Sequence, residues 1–175
     1  MSPSHPSTVC STHVVIRSPT ADDAEELLRA NEASWNASMA GVVDKKLDEI
    51  APFEERVARY REGIAAVPPG MRLWVAEREG RIVGHANVVV AKASGELSAL
   101  YVVPEAWGSG VAAALHDAAM AGMGELGATE AILWVLEGNT RARRFYEREG
   151  WSPDGETKSS VFELTEVRYR RLLER

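Results

Sequence analysis

Leu100-Tyr101-Val102-Val103-Pro104-Glu105-Ala106-Trp107-Gly108-Ser109-Gly110-Val111-Ala112-Ala113-Ala114-Leu115 passes from β-branched and aromatic residues, through a proline, to two glycines and an alanine run. Its first part favours a strand and its last part a helix, so the glycines mark a strand-to-helix junction. Two glycines at a helix start let the backbone approach a ligand closely. The unpaired N–H groups of the first helical turn, with the helix dipole behind them, make an anion site suited to a pyrophosphate. Ala112, Ala113 and Ala114 keep the helix slim enough to lie against a sheet or a cofactor. A glycine-rich turn without a ligand fits these residues equally well.

Upstream of the junction, Val14, Val15 and Ile16 make residues 13–17 a first strand. Pro19 and Thr20 break it, and Thr20 with Asp23 reads as a capping box with Asp in the Glu position. A helix follows with Ala24, Leu27, Leu28 and Asn31 on one side. Residues 35–50 carry no clear period, and Gly41 marks a break within them. A second helix starts after Pro52, striped by Phe53, Val57, Tyr60 and Ile64, and ends at Pro68-Pro69-Gly70. Residues 73–77, 82–90 and 96–103 read as three strands separated by turns at Glu79-Gly80 and Ser94-Gly95, hence antiparallel neighbours.

Downstream, a helix over residues 109–126 ends at Gly127, which suits a C-cap. A strand over 131–136, a helix from Asn139 to Gly150 and a closing strand over 160–169 complete the chain. The expected fold class is therefore mixed α/β: an antiparallel meander followed by β-α-β-α-β. Residues 1–12 are expected to be a flexible tail and residues 13–175 one domain, since no repeat or low-complexity linker interrupts them.

Composition removes several classes of function. The formal net charge of −6 argues against nucleic acid as the main partner, because phosphate binding usually needs a basic face. No apolar run approaches the roughly 20 residues of a membrane span, and the first residues lack a secretory core. The single cysteine, Cys10, cannot form an internal disulfide and fits a reducing, cytoplasmic setting. No cluster of His, Cys and acids has metal-ligand spacing, so no metal is expected.

Gly108-x-Gly110-x-x-Ala113 also matches a dinucleotide-binding fingerprint, with Glu137 as its ribose-binding acid. That fingerprint places its first glycine directly after the strand, whereas residues 104–107 intervene here. Glu137 also lies later than the roughly 20 residues expected, and too little chain follows it for a doubly wound sheet.

Two signatures in order resemble the GNAT-type N-acetyltransferases. The first, [RQ]-x-x-G-x-[GA], falls on residues 107–112 with Trp107 in place of the usual Arg or Gln. The second, N-x-x-A-x-x-[FL]-Y-x-x-x-G-[FW], falls on Asn139, Ala142, Phe145, Tyr146, Gly150 and Trp151. The order of elements agrees from His13 onward, and Trp35, Gly41 and the terminal ELTEVRYRR run resemble a bacterial subgroup of largely unassigned members.

The resemblance implies acetyl-CoA as cosubstrate, an amine acceptor and a homodimer. It implies that the strand over 96–103 splays from that over 131–136 to open a V-shaped cleft. Backbone groups of Leu100, Tyr101 and Val102 would then pair with the pantetheine arm. Gly108, Ser109, Gly110, Val111, Ala112 and Ala113 would cradle the pyrophosphate. Asn139 would cap its helix and touch the cofactor.

Amine acetylation needs a neutral amine, a held thioester and a proton for the departing thiolate. Tyr146, on the helix face of Ala142 and Phe145, is the expected donor: a phenol of pKa about 10 faces a thiol of about 8.5. Glu96, heading the cleft strand, is the expected general base, with His85 on the neighbouring strand as a second candidate. Arg141, Arg143, Arg144 and Arg148 read as a solvated helix face, from which one arginine reaches the 3′-phosphate of CoA. Trp35 and Met39 stand as acceptor-pocket candidates, and Asp44, Asp48 and Glu49 as acids that would attract a cation. The sequence carries no Cys or Ser nucleophile with a base beside it, which agrees with direct transfer. A non-catalytic acyl-CoA-binding sensor or assembly module is the alternative, and the acceptor amine itself is not encoded in any motif.

Overall fold

The computed structural model describes residues 13–43, 51–160 and 162–173. The expected tail with Cys10, and the acids Asp44, Asp48 and Glu49, lie outside the described residues. Strand β1 (Val14–Arg17) leads through a single 3-10 turn into helix α1 (Ala24–Met39), followed by α2 (Phe53–Ala65). The Thr20 N–H donates to Asp23 Oδ2 at 2.6 Å, as the capping box requires, and Asp23 also pairs with Arg17 at 2.7 Å. Strands β2 (Met71–Arg78), β3 (Arg81–Ala91) and β4 (Ser94–Val102) form the antiparallel meander. Helix α3 (Val111–Glu125), strand β5 (Glu130–Leu136), helix α4 (Thr140–Arg148) and strands β6 (Ser152–Ser159) and β7 (Thr165–Leu172) complete the order.

The sheet runs β1-β2-β3-β4-β5-β7-β6. Its two faces follow from alternation along β2. Val75 packs with Leu27, Ala30 and Ile82 under α1. Its neighbour Ala76 joins Leu115, Ala119 and Met123 of α3 on the other face, where Tyr146 and Trp151 also pack.

Two details differ from the sequence reading. The turn between β3 and β4 is at Lys92-Ala93, where Lys92 takes a φ of +58°, and not at Ser94-Gly95. Gly95 lies inside β4, where a Cβ would meet Met123 Sδ at 2.6 Å, so only glycine fits against α3 there. The closing segment is a hairpin of two strands, with β7 beginning at Thr165 and β6 added outside it. Every residue of β6 is exposed, so this edge strand has no apolar alternation by which to announce itself.

Strands β4 and β5 are parallel, and they pair only at Ser94↔Glu130, Gly95↔Ala131 and Glu96↔Ile132. Beyond that fork β4 continues to Val102 and β5 to Leu136 without pairing to each other, which is the expected V.

Candidate active site

The open arms of the V enclose a cleft of about 910 Å³. One wall is β4 from Leu97 to Val102, the other is β5 from Trp134 to Leu136, and the glycine loop and α4 close the open end. Gly108 and Gly110 have φ of +75° and +87°, the left-handed region in which glycine carries no Cβ penalty. Gly110 caps α3, and Ala114 N–H is the first to bond back, to Gly110 O at 3.0 Å. The amides of Val111, Ala112 and Ala113 precede that bond and are left for a ligand. No acid stands in this first turn to oppose an anion.

Most of the residues expected to hold the cofactor line the cleft: Leu100, Tyr101, Val102, Gly108, Gly110, Ala112, Ala113 and Asn139. Two have side chains occupied elsewhere. Ser109 Oγ donates to Ala106 O at 2.6 Å, and Val111 is buried in the core, so each offers the cleft only main-chain groups. Asn139 Oδ1 accepts from Ala142 N–H at 3.1 Å and so caps α4 while facing the cleft. Trp107, the departure from the family pattern, donates its indole N–H to Val102 O at 2.7 Å. The Arg141 guanidinium stacks 3.2 Å from the centre of the Trp107 ring. Arg141, Arg144 and Arg148 line the cleft, whereas Arg143 turns to the Tyr169 hydroxyl at 3.0 Å.

Tyr146 lines the cleft and is only 8% exposed. Its ring packs edge-on against Phe145 and Trp151, which fixes the phenol's direction. Burial, reinforced by the nearby Tyr101, pushes the Tyr146 hydroxyl well above its ordinary value and keeps it protonated. Trp35 and Met39 also line the cleft, packed with Leu136, Tyr101 and Phe162 at its α1 side.

The two base candidates fall elsewhere. Glu96 sits at the closed fork, paired with Val89 and Ile132, and does not line the cleft. The register between β4 and β5, which the sequence does not display, puts it at the wrong end. His85 lines a separate, mostly apolar cavity of about 380 Å³ beneath α2, with Tyr101 stacked 5.5 Å away between it and the cleft. Burial pushes its pKa down to about 4, so it is neutral there.

Besides Glu149 at the end of α4, two charged residues of the cleft were missed in the sequence: Lys158 on β6 and Glu166 on β7. Only their place opposite Leu136 in the ladder brings them to the wall, and no motif carries that. One group of potential metal ligands forms among the described residues: His116, Asp117 and Glu149. His116 Nε2 accepts the Trp151 indole N–H at 2.9 Å, which puts the imidazole hydrogen on Nδ1. Nδ1 therefore faces the carboxylates, 3.5 and 3.9 Å away, and makes no hydrogen bond to either. No described helix is long and apolar enough to cross a membrane.

The acetyltransferase (GNAT) family model matches residues 26–151. An uncharacterised N-acetyltransferase of Mycobacterium bovis is 36% identical over 99 residues, covering 56% of this chain. The chain spans 62% of the length of that relative. An uncharacterised N-acetyltransferase of Archaeoglobus fulgidus is 30% identical over 138 residues, 75% of this chain and 88% of its own. Among solved structures, the PaiA N-acetyltransferase of Thermoplasma acidophilum in complex with coenzyme A superposes with a TM-score of 0.71 at 19% identity. That superposition covers 89% of this chain and 98% of the other.

Proposed function

The chain belongs to the acetyltransferase (GNAT) family, and from that premise we propose that it transfers an acetyl group from acetyl-CoA directly to a primary amine. The observation that carries this is the three-pair contact between β4 and β5, which opens a cleft with free helix-start amides at one end and Tyr146 in its wall. The diphosphate sits on the amides of the glycine loop, and Arg141, Arg144 or Arg148 meets the remaining phosphate charge. The pantetheine arm runs from there toward the fork, along the unpaired edge of β4, and leaves the thioester between the two arms.

Tyr146 donates a hydrogen bond to the sulfur as negative charge grows on it. Burial holds the phenol protonated, so it is present as a donor while the C–S bond lengthens. The role is therefore stabilisation of the leaving group, with the amine's own proton as the final source. The amine attacks the thioester carbon, the C–S bond breaks, and no protein side chain is acylated. Neither Glu96 nor His85 faces the cleft, so the ammonium is deprotonated within it, where Glu166 is the carboxylate on the β7 wall.

The test is release of free CoA from acetyl-CoA in the presence of a panel of primary amines. Transfer to at least one amine is expected. Intact acetyl-CoA binding with no transfer to any amine would instead favour a binding module.

A further inference from the structure

Just past the fork, on the face shared with α1, Trp134 is two residues beyond the last β4–β5 pair. The Lys158 ammonium lies over its ring, 4.3 Å from the centroid, and 3.5 Å from Glu166 Oε2. All three residues line the cleft. An aromatic face and a carboxylate converging on one point make a receptor for a primary ammonium. The chain's own lysine fills it.

We propose that Trp134 and Glu166 form the ammonium subsite of the acceptor, and that Lys158 is a built-in occupant which an incoming cationic amine displaces. This rests on the reading of the cleft as an amine acetyltransferase site. The acceptor class that follows is a primary amine, cationic when it binds, with an apolar segment to lie against Trp35, Leu136 and Phe162.

Three features make Lys158 displaceable. Its side chain is 47% exposed, while that of Glu166 is 23% exposed, so the lysine can swing to water and leave the carboxylate in the wall. Its contact with Glu166 is long, and exposed ion pairs of this kind are weak. The other cation near the ring, Arg168 at 5.7 Å, is already fixed to Asp154 at 2.7 Å and does not compete for Glu166. With Lys158 turned out, the acceptor side of the cleft carries an uncompensated carboxylate, while the arginines of α4 stay at the cofactor side.

The test is calorimetric titration of CoA-saturated protein with n-hexylamine and, as an uncharged control, 1-hexanol. Lys158→Met should bind hexylamine about tenfold more tightly than the natural chain, and adding Glu166→Gln should reverse that gain. Hexanol affinity should change by less than twofold throughout. Lys158→Gln repeats the test with a polar side chain, and an unchanged CoA affinity shows that each variant is folded. Equal hexylamine affinity in the natural chain and both Lys158 variants overturns the proposal, as does an equal gain for hexanol. If the hexylamine effects appear but no amine is acetylated, the ammonium subsite stands and the transfer reaction falls.

Discussion

The indole N–H of Trp107 donates to the main-chain oxygen of Val102 at 2.7 Å, so the last carbonyl of β4 is satisfied from within the chain. The same ring carries Arg141 on its face, which ties the glycine loop to the start of α4. Trp107 thus bridges β4, the loop and α4 around the mouth of the cleft. Trp107→Phe keeps a ring and loses the hydrogen bond. A net hydrogen bond is worth about 1 kcal/mol. CoA affinity should therefore fall about fivefold by calorimetry with little change in melting temperature; unchanged affinity would show that the bridge is incidental to binding.

Tyr146→Phe removes one oxygen atom from a residue whose ring packing is otherwise kept. Turnover should drop about 100-fold, the low end for removing one hydrogen-bond donor to charge that develops in the transition state. Acetyl-CoA affinity should stay within about twofold, because the hydroxyl acts on charge that develops only as the C–S bond breaks. Equal turnover in the variant would remove the tyrosine from the mechanism.

Gly84 holds the distance between β3 and the cleft strand. A Cβ there would lie 2.7 Å from the Tyr101 carbonyl oxygen, 3.0 Å from Leu115 Cδ1 and 3.1 Å from Val102 Cγ2. Backbone cannot swing away as a side-chain tip can, so β4 must shift. Gly84→Ala should cost about 1–3 kcal/mol in urea denaturation. It should also weaken CoA binding, since Tyr101 and Val102 line the cleft. A variant as stable as the natural chain would mean that the two strands separate freely.

Burial holds the His85 imidazole neutral, with its pKa pushed down to about 4 from 6.5. Between those values the unfolded chain binds a proton that the folded chain refuses. The stability tied to this group is complete above pH 6.5 and declines as pH falls toward 4. His116 is also pushed down by burial and adds a slope of the same sign. His85→Phe should flatten the decline: between about pH 7 and pH 4.5 it should lose about 2 kcal/mol less stability than the natural chain. Parallel pH profiles would show that His85 is solvated in a way its packing does not suggest.

Where local chemistry decides structure, the sequence was readable. Gly108 and Gly110 announced the left-handed loop, Asn139 the cap of α4, and the apolar stripes of α1 and α2 their buried faces. Glu96 falls at the fork and not in the cleft because the fork position depends on which residues of β4 meet β5, a long-range register with no local mark. Strand β6 escaped notice because SPDGETKS, exposed on both faces, has no hydrophobic period. Lys158 and Glu166 escaped for a related reason. They are ordinary charged residues of a hairpin until β7 pairs with β5 and turns them onto the wall of the cleft.

The central claim is that the cleft between β4 and β5 receives acetyl-CoA. Equilibrium calorimetry of the purified protein with acetyl-CoA, free CoA and NADH tests it most directly. The account predicts binding of acetyl-CoA and CoA with comparable affinity and no heat from NADH. Binding of NADH with silence for both CoA species would contradict it, and would mean that the glycine loop at Gly108 and Gly110 serves a dinucleotide.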